Sequence, residues 1–367
     1  MRSQKRLKIG IVGLGLMGGS LGMALVRAGY TVSGWDQSAV ARQEAYRVGA
    51  LSRLSHDLRD AVSQASVVFI ATPVESIPAT VRECIPLVKQ GTIFTDLGSI
   101  KQNILEEVYG FLPEGYHFVA GHPMTGSEQQ GIGAADPFLF QNAAYVIIED
   151  PRISKEAAAV IVEIIQNTGA QIIKLAAVEH DRIVGMVSHL PHLVAATLAN
   201  TAANAENTFP GTLALAAGGF RDTTRIALGA PEIWRGIIWG NLGQVLKAID
   251  SFQTELDRLK EMLRSGNHAQ LDRFLAQAQE IRRGIPAKNK GFLSLLHELV
   301  VTIEDRPGAI VEVLIFLAEA GLNIKDIEIL RIREGTGGTL RLALESDAAV
   351  DQAVKVLETQ GFTVRKR

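Results

Sequence analysis

A histidine in a glycine-rich segment is the first residue of the sequence that could do chemistry. His122 lies in AGHPMTGSEQQG, between Gly121 and Pro123, and no apolar periodicity there would bury its ring. An imidazole gains or loses a proton near neutral pH, so it could accept the proton of a substrate hydroxyl. Ser99, in DLGSIK, could hydrogen-bond either the imidazole or the same hydroxyl. Taken alone, however, such a histidine is more often an ordinary loop residue.

A glycine-rich turn near the start of the chain predicts a dinucleotide site. Gly13, Gly15 and Gly18 form G-x-G-x-x-G between an apolar run and a helical pattern. The first glycine allows a tight turn, the second lets a pyrophosphate approach the backbone, and the third lets helix and strand pack closely. Asp36 ends the next predicted strand, where a carboxylate binds the adenosine ribose diol and repels a 2′-phosphate. No arginine follows it immediately, so the expected cofactor is NAD. The candidate cofactor-binding residues are Gly13, Gly15, Leu16, Met17, Gly18, Asp36, Thr72 and Pro73.

Three further histidines fall in two short motifs. SHLPH contains His189 and His192, three positions apart, and EHD contains His180. The SHLPH pair could bind a metal, but no third ligand stands nearby in a metal-site pattern, and the chain has one cysteine. Contacts to a substrate and simple helix packing are both better explanations. We therefore expect no metal.

GGFRDTTRIALGAPEIW carries two arginines at helical spacing. Arg221 and Arg225 are four positions apart, so they would share one face of a helix. The fork of a guanidinium binds a carboxylate through two hydrogen bonds, which would suit an acidic substrate. On spacing alone, a surface salt bridge with Asp222 is the better explanation.

The order of predicted elements indicates how these motifs could meet. Short β-branched runs alternate with helical patterns up to residue 175, which is typical of a mostly parallel sheet covered on both faces. Ser99 ends one predicted strand, and His122 comes late in the next, HFVAGHPM (117–124), at the carboxyl edge where such sheets bind ligands. Helical spacing then replaces strand patterns up to about Arg283, and after the linker GIPAKNKG a β-α-β-β-α-β order predicts a ferredoxin-like unit. We therefore predict an α/β Rossmann-type dinucleotide-binding domain (1–175), an all-α domain (176–285) and a C-terminal ferredoxin-like α+β domain (292–367).

Composition narrows the class of protein. The chain has 367 residues, of which 47% are hydrophobic and 21% charged, as in a globular protein of two or three domains. A formal net charge of −2 gives no reason to expect a nucleic acid partner. The single cysteine, Cys84, excludes an intrachain disulfide framework and fits a reducing cytosol. No apolar run approaches the roughly 20 residues of a membrane span, so we expect a cytoplasmic protein without a membrane partner.

Five segments together resemble the prephenate dehydrogenases of the tyrosine pathway. They are GLGLMGGSLGMAL, DLGSIK, GHPMTGSE, EHDRIVGMVSHLPH and GGFRDTTRIA, and they follow the family's order over nearly the whole chain. The last module is similar to the ACT domain that some bacterial members carry. The glycine turn is shared with many dehydrogenases, whereas GHPMTGSE combined with SHLPH is far more specific.

The resemblance implies NAD-dependent oxidative decarboxylation of prephenate to 4-hydroxyphenylpyruvate. In that reaction His122 would bond the C4 hydroxyl, with Ser99 as its polar partner. Arg225 would bind the ring carboxylate, and His192 would help hold the pyruvyl side chain. A homodimer through the helical domain is also implied, with Trp234 approaching the partner subunit's site. Further residues match positions that shape the family's pocket: His180, His189, Glu128, Asp222 and Gly218.

The C-terminal module is a place where the end product, tyrosine, could be sensed. Pro307 and Gly308 open a predicted helix, whose free N–H groups could meet an amino-acid carboxylate. Asn323 could bond the polar groups of the ligand, as the matching residue does in some ACT domains. The candidate effector-binding residues are Asp305, Gly308 and Asn323. Alternatively, the module only adds dimer contacts.

Two other kinds of function stay open on the sequence. The first is a related enzyme, either an arogenate dehydrogenase or a β-hydroxyacid dehydrogenase. The second is a non-catalytic amino-acid-sensing protein, against which the set of His122, Ser99 and Arg225 argues. Prephenate and arogenate differ only in a keto versus an amino group, so the sequence does not decide between them.

Overall fold

The chain forms two compact units, Met1–Gly291 and Phe292–Arg367. The structure is a computed structural model that describes residues 7–126, 129–285, 297–333 and 337–366. The predicted Rossmann and helical segments both belong to the first unit, and the ferredoxin-like segment belongs to the second.

A five-stranded parallel sheet forms the core of the first unit. Its strands are β1 Lys8–Val12, β2 Thr31–Trp35, β3 Val67–Ile70, β4 Ile93–Asp96 and β5 His117–Val119. Their order is β2-β1-β3-β4-β5, and every pair is parallel. All residues of β3 and β4 are buried, as expected of strands covered on both faces. The strand order reverses between β1 and β3, which creates a crevice at the carboxyl ends where ligands bind in open sheets. The predicted Rossmann-type architecture is confirmed.

Six helices accompany these strands. They are α1 Leu16–Arg27, α2 Ala39–Arg47, α3 Leu58–Val62, α4 Ile77–Cys84, α5 Gln102–Tyr109 and α6 Lys155–Gln166. Helix α1 ends at Arg27, and Gly29 then adopts φ +85° and lets the chain turn back toward β2.

The run HFVAGHPM, predicted as one strand, is divided between two sheets. β5 ends at Val119, and β6 Gly121–Pro123 pairs antiparallel with β7 Ala144–Ile148, which pairs in parallel with β8 Gln171–Leu175. The change occurs at Gly121, whose N–H and C=O bond to the side chains of Asp96 and Lys101 rather than continuing the ladder to β4. A Cβ at Gly121 would also lie 2.8 Å from the Tyr145 ring. His122 is therefore carried on a short strand that leaves the main sheet.

The segment after β8 is helical, as predicted. Its helices are α7 Ala177–Val184, α8 Leu190–Thr208, α9 Gly218–Thr224, α10 Pro231–Gly240, α11 Leu242–Arg264 and α12 His268–Gly284. A π-helical turn, Gly185–His189, joins α7 to α8, and in it the Leu190 N–H donates to the Gly185 carbonyl. This wider turn accommodates Pro191, which has no N–H to continue an α-helical ladder.

One helical segment is long and apolar, although no run of membrane-spanning length was expected from the sequence. Ala177–Thr208 is long and apolar enough to cross a membrane by length and composition, with a mean hydropathy of 1.2 over its best window. A single run of this kind is weak support for a span, because core helices have the same composition. This run also carries His180 and Asp181, both buried and hydrogen-bonded to other parts of the first unit.

The second unit has the predicted ferredoxin-like order. Its elements are β9 His297–Ile303, α13 Ala309–Glu319, β10 Asp326–Arg333, β11 Gly337–Leu344, α14 Asp347–Thr359 and β12 Thr363–Lys366. The strands form an antiparallel sheet in the order β10-β11-β9-β12. Alternate residues of β9 and β11, such as Leu299 and Leu342, form a core with Val313 of α13 and Leu357 of α14.

Candidate active site

The three glycines of the first turn are placed for three different purposes. Gly13 has φ +94°, and a Cβ there would lie 2.6 Å from the Ala71 carbonyl oxygen. A Cβ at Gly18 would lie 1.9 Å from the Gly13 carbonyl oxygen, so only glycine lets α1 pack this closely. A Cβ at Gly15 would meet nothing within 4 Å. Gly15 also begins α1 without a side-chain cap, which leaves backbone N–H groups for a phosphate in this open space.

The other candidate cofactor residues lie at the same edge of the sheet. Asp36 accepts hydrogen bonds from the Leu14 N–H (2.8 Å) and the Ser38 N–H (2.9 Å), so its carboxylate is fixed at the end of β2. Thr72 N would lie 2.9 Å from a Cβ at Gly13, next to the glycine turn. Pro73 follows Thr72 after β3, whereas Leu16 and Met17 form the first turn of α1. These groups fit a dinucleotide.

An arginine that the sequence reading missed lies beside Asp36. Arg42, on α2, donates to the Asp36 carbonyl oxygen at 2.6 Å, and its guanidinium lies 4.0 Å from the centre of the Trp35 ring. Arg42 lies six positions after Asp36 in the sequence, so it is not among the residues that directly follow Asp36.

His122 is joined to His180 and Asp181 by a row of hydrogen bonds. His122 Nδ1 lies 2.8 Å from His180 Nε2, and His180 Nδ1 lies 2.7 Å from Asp181 Oδ1. His180 and Asp181 are only 1% and 2% exposed, whereas His122 is half-buried. Burial, and then the neighbouring His180, Lys101 and His189, hold the pKa of His122 well below its usual 6.5. The imidazole of His122 is therefore neutral at neutral pH.

Two buried charges that the sequence reading did not single out hold the backbone next to His122. The Lys101 ammonium pairs with Asp96 and donates to the Gly121 carbonyl oxygen at 2.6 Å. Asp96 accepts from the Gly121 N–H at 3.1 Å. Burial lowers the pKa of Lys101, and the Asp96 carboxylate opposes that shift. Both residues are in DLGSIK, at the end of an apolar run. Their charges at that place were the sequence signal that could have identified them.

Asn241, also missed, links Asp181 to His189. Its Nδ2 donates to the Asp181 carbonyl oxygen at 2.8 Å and lies 3.2 Å from His189 Nδ1. An amide nitrogen only donates hydrogen bonds, so His189 Nδ1 accepts from Asn241 and His189 Nε2 carries the ring hydrogen. Burial lowers the pKa of His189 to about 4, so this imidazole is neutral. His189 Nε2 is buried and has no partner within the described ranges.

His192 and Trp234 form a stacked pair within one chain. Their ring centroids are 3.6 Å apart and their planes differ by 10°. Gly229 lies against the pair, since a Cβ there would be 2.4 Å from Trp234 Nε1. Burial lowers the pKa of His192, which hydrogen-bonds to the Ile226 backbone, while its Nδ1 has no partner in the part of the chain that the structure describes. Trp234 therefore contacts the SHLPH motif of its own chain, and its expected approach to the partner subunit's site stays a prediction.

The remaining candidates are less enclosed. Ser99 is half-buried in the loop after β4, and its hydroxyl makes no hydrogen bond within the described residues, so the partner of His122 is His180 and not Ser99. Arg221 lies on α9, and Arg225 directly follows the end of that helix, where a 3-10 turn begins, so the expected four-residue spacing spans the helix end. Asp222 forms no ion pair in the described ranges, which leaves the salt-bridge explanation without support. Gly218 is exposed at the start of α9. Glu128 lies outside the described residues.

The candidate effector residues of the second unit are separated from one another. Asp305 and Gly308 lie in the loop after β9, where Gly308 has φ +91° and begins α13. Asn323 lies beyond α13, just before β10. The first residue of β10, Asp326, is level with Glu298 near the start of β9, because both pair with Ala343 of β11. The 11 residues of α13 span about 16 Å at 1.5 Å per residue. One chain therefore does not bring Asn323 together with the other two.

A metal centre was not expected from the sequence. Within residues 7–126, 129–285, 297–333 and 337–366, no group of three or more His, Cys, Asp or Glu residues is placed to hold a metal ion. The histidines around His122 are instead engaged with one another, with carboxylate and amide groups, and with Trp234.

Comparison with known proteins identifies the family. Residues 21–174 match the nucleotide-binding domain of prephenate dehydrogenase, residues 176–277 match its dimerization domain, and residues 297–361 match the ACT domain. The prephenate dehydrogenase of Bacillus subtilis (strain 168) is 33% identical over 361 residues, which are 98% of this chain and 97% of the relative. The chain belongs to the prephenate dehydrogenase family. This confirms the resemblance, and the dimerization-domain match bears out the expected homodimer.

Solved structures of prephenate dehydrogenase relatives agree with this assignment. The A. aeolicus prephenate dehydrogenase in complex with hydroxyphenyl propionate and NAD+ is 26% identical, with a TM-score of 0.71 over 78% of this chain and 100% of that chain. Synechocystis arogenate dehydrogenase is 30% identical, with a TM-score of 0.67 over 76% of this chain and 99% of that chain. The predicted fold class, the NAD cofactor and the dehydrogenase activity are confirmed.

Proposed function

We propose that the chain is a cytoplasmic, homodimeric enzyme that uses NAD to convert prephenate into 4-hydroxyphenylpyruvate and CO2. The observation that carries this proposal is the neutral His122, held by buried partners beside the sheet that carries the glycine turn. Prephenate dehydrogenases of Bacillus subtilis and Lactococcus lactis, 33% and 31% identical over nearly the whole chain, support it.

The glycine turn and Asp36 hold the cofactor in this proposal. NAD, when bound, supplies the hydride acceptor. Gly13 forms the tight turn, Gly15 lets the pyrophosphate approach the backbone at the start of α1, and Gly18 lets that helix pack closely. Asp36 accepts hydrogen bonds from the ribose diol. The lining residues in this proposal are Leu16, Met17, Thr72 and Pro73.

His122 moves the proton. Its Nε2 accepts the C4 hydroxyl proton of prephenate while the C4 hydrogen leaves as hydride. The bond between C1 and its carboxylate then breaks, CO2 leaves, and the electron pair makes the ring aromatic. His122 returns its proton to the oxygen that becomes the phenol, so no proton is gained or lost overall. Ser99 donates or accepts a hydrogen bond at the same hydroxyl.

Charged and aromatic groups of the helical segment bind the two acidic ends of the substrate. Arg225 binds the ring carboxylate through its guanidinium fork, which matches that geometry. The N–H of His189 donates to the pyruvyl side chain, because it is a buried donor without a protein partner in the described ranges. His192 is the second proposed contact of that side chain, and its unpartnered Nδ1 donates only when the ring is protonated, because its other nitrogen bonds to the Ile226 backbone. His180 has both nitrogens engaged within the chain, so a direct substrate contact is not proposed for it. Pocket-shaping roles are proposed for Gly218, Asp222, Glu128 and Trp234.

The ACT domain regulates the enzyme in this proposal by binding tyrosine. Asp305, Gly308 and Asn323 are the proposed ligand contacts. Because α13 separates Asn323 from the other two, a complete site needs residues from two copies of the chain.

Arogenate is the second candidate substrate, since the Synechocystis structural relative is an arogenate dehydrogenase. The test is steady-state kinetics with prephenate and arogenate, each with NAD and NADP. We expect the highest kcat/KM for prephenate with NAD. A higher kcat/KM for arogenate would establish the alternative, and turnover of neither would favour a non-catalytic sensing protein.

A further inference from the structure

The row of hydrogen bonds behind His122 ends at a carboxylate that no substrate could reach. Asp181 is 2% exposed and lies two hydrogen bonds away from His122, beyond the buried ring of His180. It comes from α7, whereas His122 comes from β6, so the fold brings them together from positions 59 residues apart. The backbone of α5 completes the surroundings, since Lys101 N–H and Gln102 N–H both donate to Asp181, at 2.7 and 2.8 Å.

The hydrogen bonds along this row indicate where its hydrogens lie. Both oxygens of Asp181 accept from backbone N–H groups, and Oδ1 also contacts His180, so Asp181 is an ionised acceptor. The start of α5 stabilises that negative charge. His180 Nδ1 must then carry a hydrogen. With a single ring hydrogen, His180 presents a lone pair at Nε2 and accepts the Nδ1 hydrogen of His122. The free nitrogen of His122, Nε2, is left as a lone pair.

We propose that His180 and Asp181 are positioning residues that hold His122 in the tautomer whose Nε2 can accept the substrate proton. They also stabilise the positive charge that His122 carries after it has taken that proton. This inference rests on the proposed role of His122. When the hydroxyl O–H breaks and the Nε2–H bond forms, the imidazolium donates its Nδ1 hydrogen to His180, and Asp181 is the anion behind it. His180 and Asp181 are buried, so this charge interacts with Asp181 more strongly than it would in water.

A purely structural role for the pair is the competing explanation, because Asp181 also caps α5 and binds Asn241. A double-mutant cycle distinguishes the two. His180→Phe keeps an aromatic ring and removes both nitrogens. We expect its kcat to fall about 10–100-fold, the scale for an outer partner that orients a reacting imidazole, with the prephenate KM and NAD affinity unchanged.

The same substitution in a His122→Asn background should cause no further loss of kcat, because His180 acts only through His122. An equal loss in both backgrounds would show a structural role and overturn the proposal. His180→Gln can still accept from His122 through its amide oxygen, so it should recover part of the lost rate. His117→Phe, a histidine substitution on the neighbouring strand β5, is the matched control and should leave kcat unchanged.

A measurement without substrate separates this inference from the proposed function. Nitrogen NMR of the full-length chain with 15N-labelled histidine reports which ring nitrogen of His122 carries the hydrogen; His122→Asn assigns its signals. We expect hydrogen on Nδ1 in the unmodified chain and a change of tautomer in His180→Phe. If the hydrogen of His122 lies on Nε2 in the unmodified chain, the inference is overturned whatever the substrate is. A doubly protonated His180 would cause this, because it would donate to His122 Nδ1. The expected tautomer without turnover of prephenate would count against the proposed function alone.

Discussion

The surroundings of His122 and the ACT domain place their candidate residues in opposite ways. Around His122, side chains from positions as distant as Asp96 and Asn241 meet in one buried hydrogen-bonded network. In the ACT domain, Asp305 and Asn323 are 18 positions apart, yet α13 holds them at opposite ends. Most buried polar groups need hydrogen-bond partners, so a network of them converges wherever its members lie in the sequence. Exposed loop residues have no such requirement, and a site made from them depends on what else binds there.

The strongest test of this contrast is the removal of the imidazole itself. His122→Asn should lower kcat about 10²–10⁴-fold, the usual contribution of general acid–base catalysis, with little change in KM. Steady-state kinetics with prephenate and NAD measures it. An unchanged kcat would remove His122 from the mechanism.

The second test concerns the buried ion pair that holds Gly121. Lys101→Met should lower the free energy of unfolding by about 3–5 kcal/mol, because it leaves the Asp96 carboxylate buried without its cation. Urea denaturation followed by tryptophan fluorescence measures it, since all three tryptophans, Trp35, Trp234 and Trp239, lie in the first unit. The Asp96→Asn, Lys101→Met double variant should recover part of the loss. A single variant as stable as the unmodified chain would show that the pair is not required.

A third test addresses the cofactor edge of the same unit. Asp36→Ala should lower kcat/KM for NAD about 10–100-fold, because it removes hydrogen bonds from a carboxylate to the ribose diol. The same variant should narrow the gap to NADP, since Arg42 stays beside the lost carboxylate and would attract a 2′-phosphate. Adding Arg42→Ala should cancel the gain with NADP. A constant NAD/NADP ratio in Asp36→Ala would mean that Asp36 does not face the ribose.

The pH dependence of the rate is a fourth test. The pKa of His122 is held well below 6.5, so its neutral form should persist as the pH falls through 6.5. An imidazole with the usual pKa of about 6.5 would be about 90% protonated at about pH 5.5, and the rate there would be about tenfold smaller than at neutral pH. We therefore expect the acid limb of kcat/KM to lie well below pH 6.5. An acid limb centred at 6.5 or above would contradict this.

The same contrast decides how much the sequence could predict. Local patterns were enough for the glycine turn, the alternating elements and the ferredoxin-like order, because each depends on neighbouring residues. They also pointed to His122, His189 and His192. The partners of His122 were not predictable in this way, since the contact between β6 and α7 depends on the tertiary fold. The division of HFVAGHPM was missed for a related reason: its cause is the side chains of Asp96 and Lys101 on another element.

The smallest expected effect concerns the ACT domain. Asn323→Ala should raise the tyrosine concentration for half-inhibition of the full-length enzyme about 2–10-fold, the value of one hydrogen bond, with the uninhibited kcat unchanged. Thr363→Ala is the matched control, because Thr363 follows α14 through Gly361 and Phe362 as Asn323 follows α13 through Gly321 and Leu322. Tyrosine resembles the product, so inhibition must be measured at several prephenate concentrations. Inhibition that excess prephenate abolishes and that neither variant alters would place tyrosine in the active site and refute sensing by Asn323. Inhibition weakened only by Asn323→Ala would support a site that two copies of the chain complete, because in one chain α13 keeps Asn323 about 16 Å from Gly308.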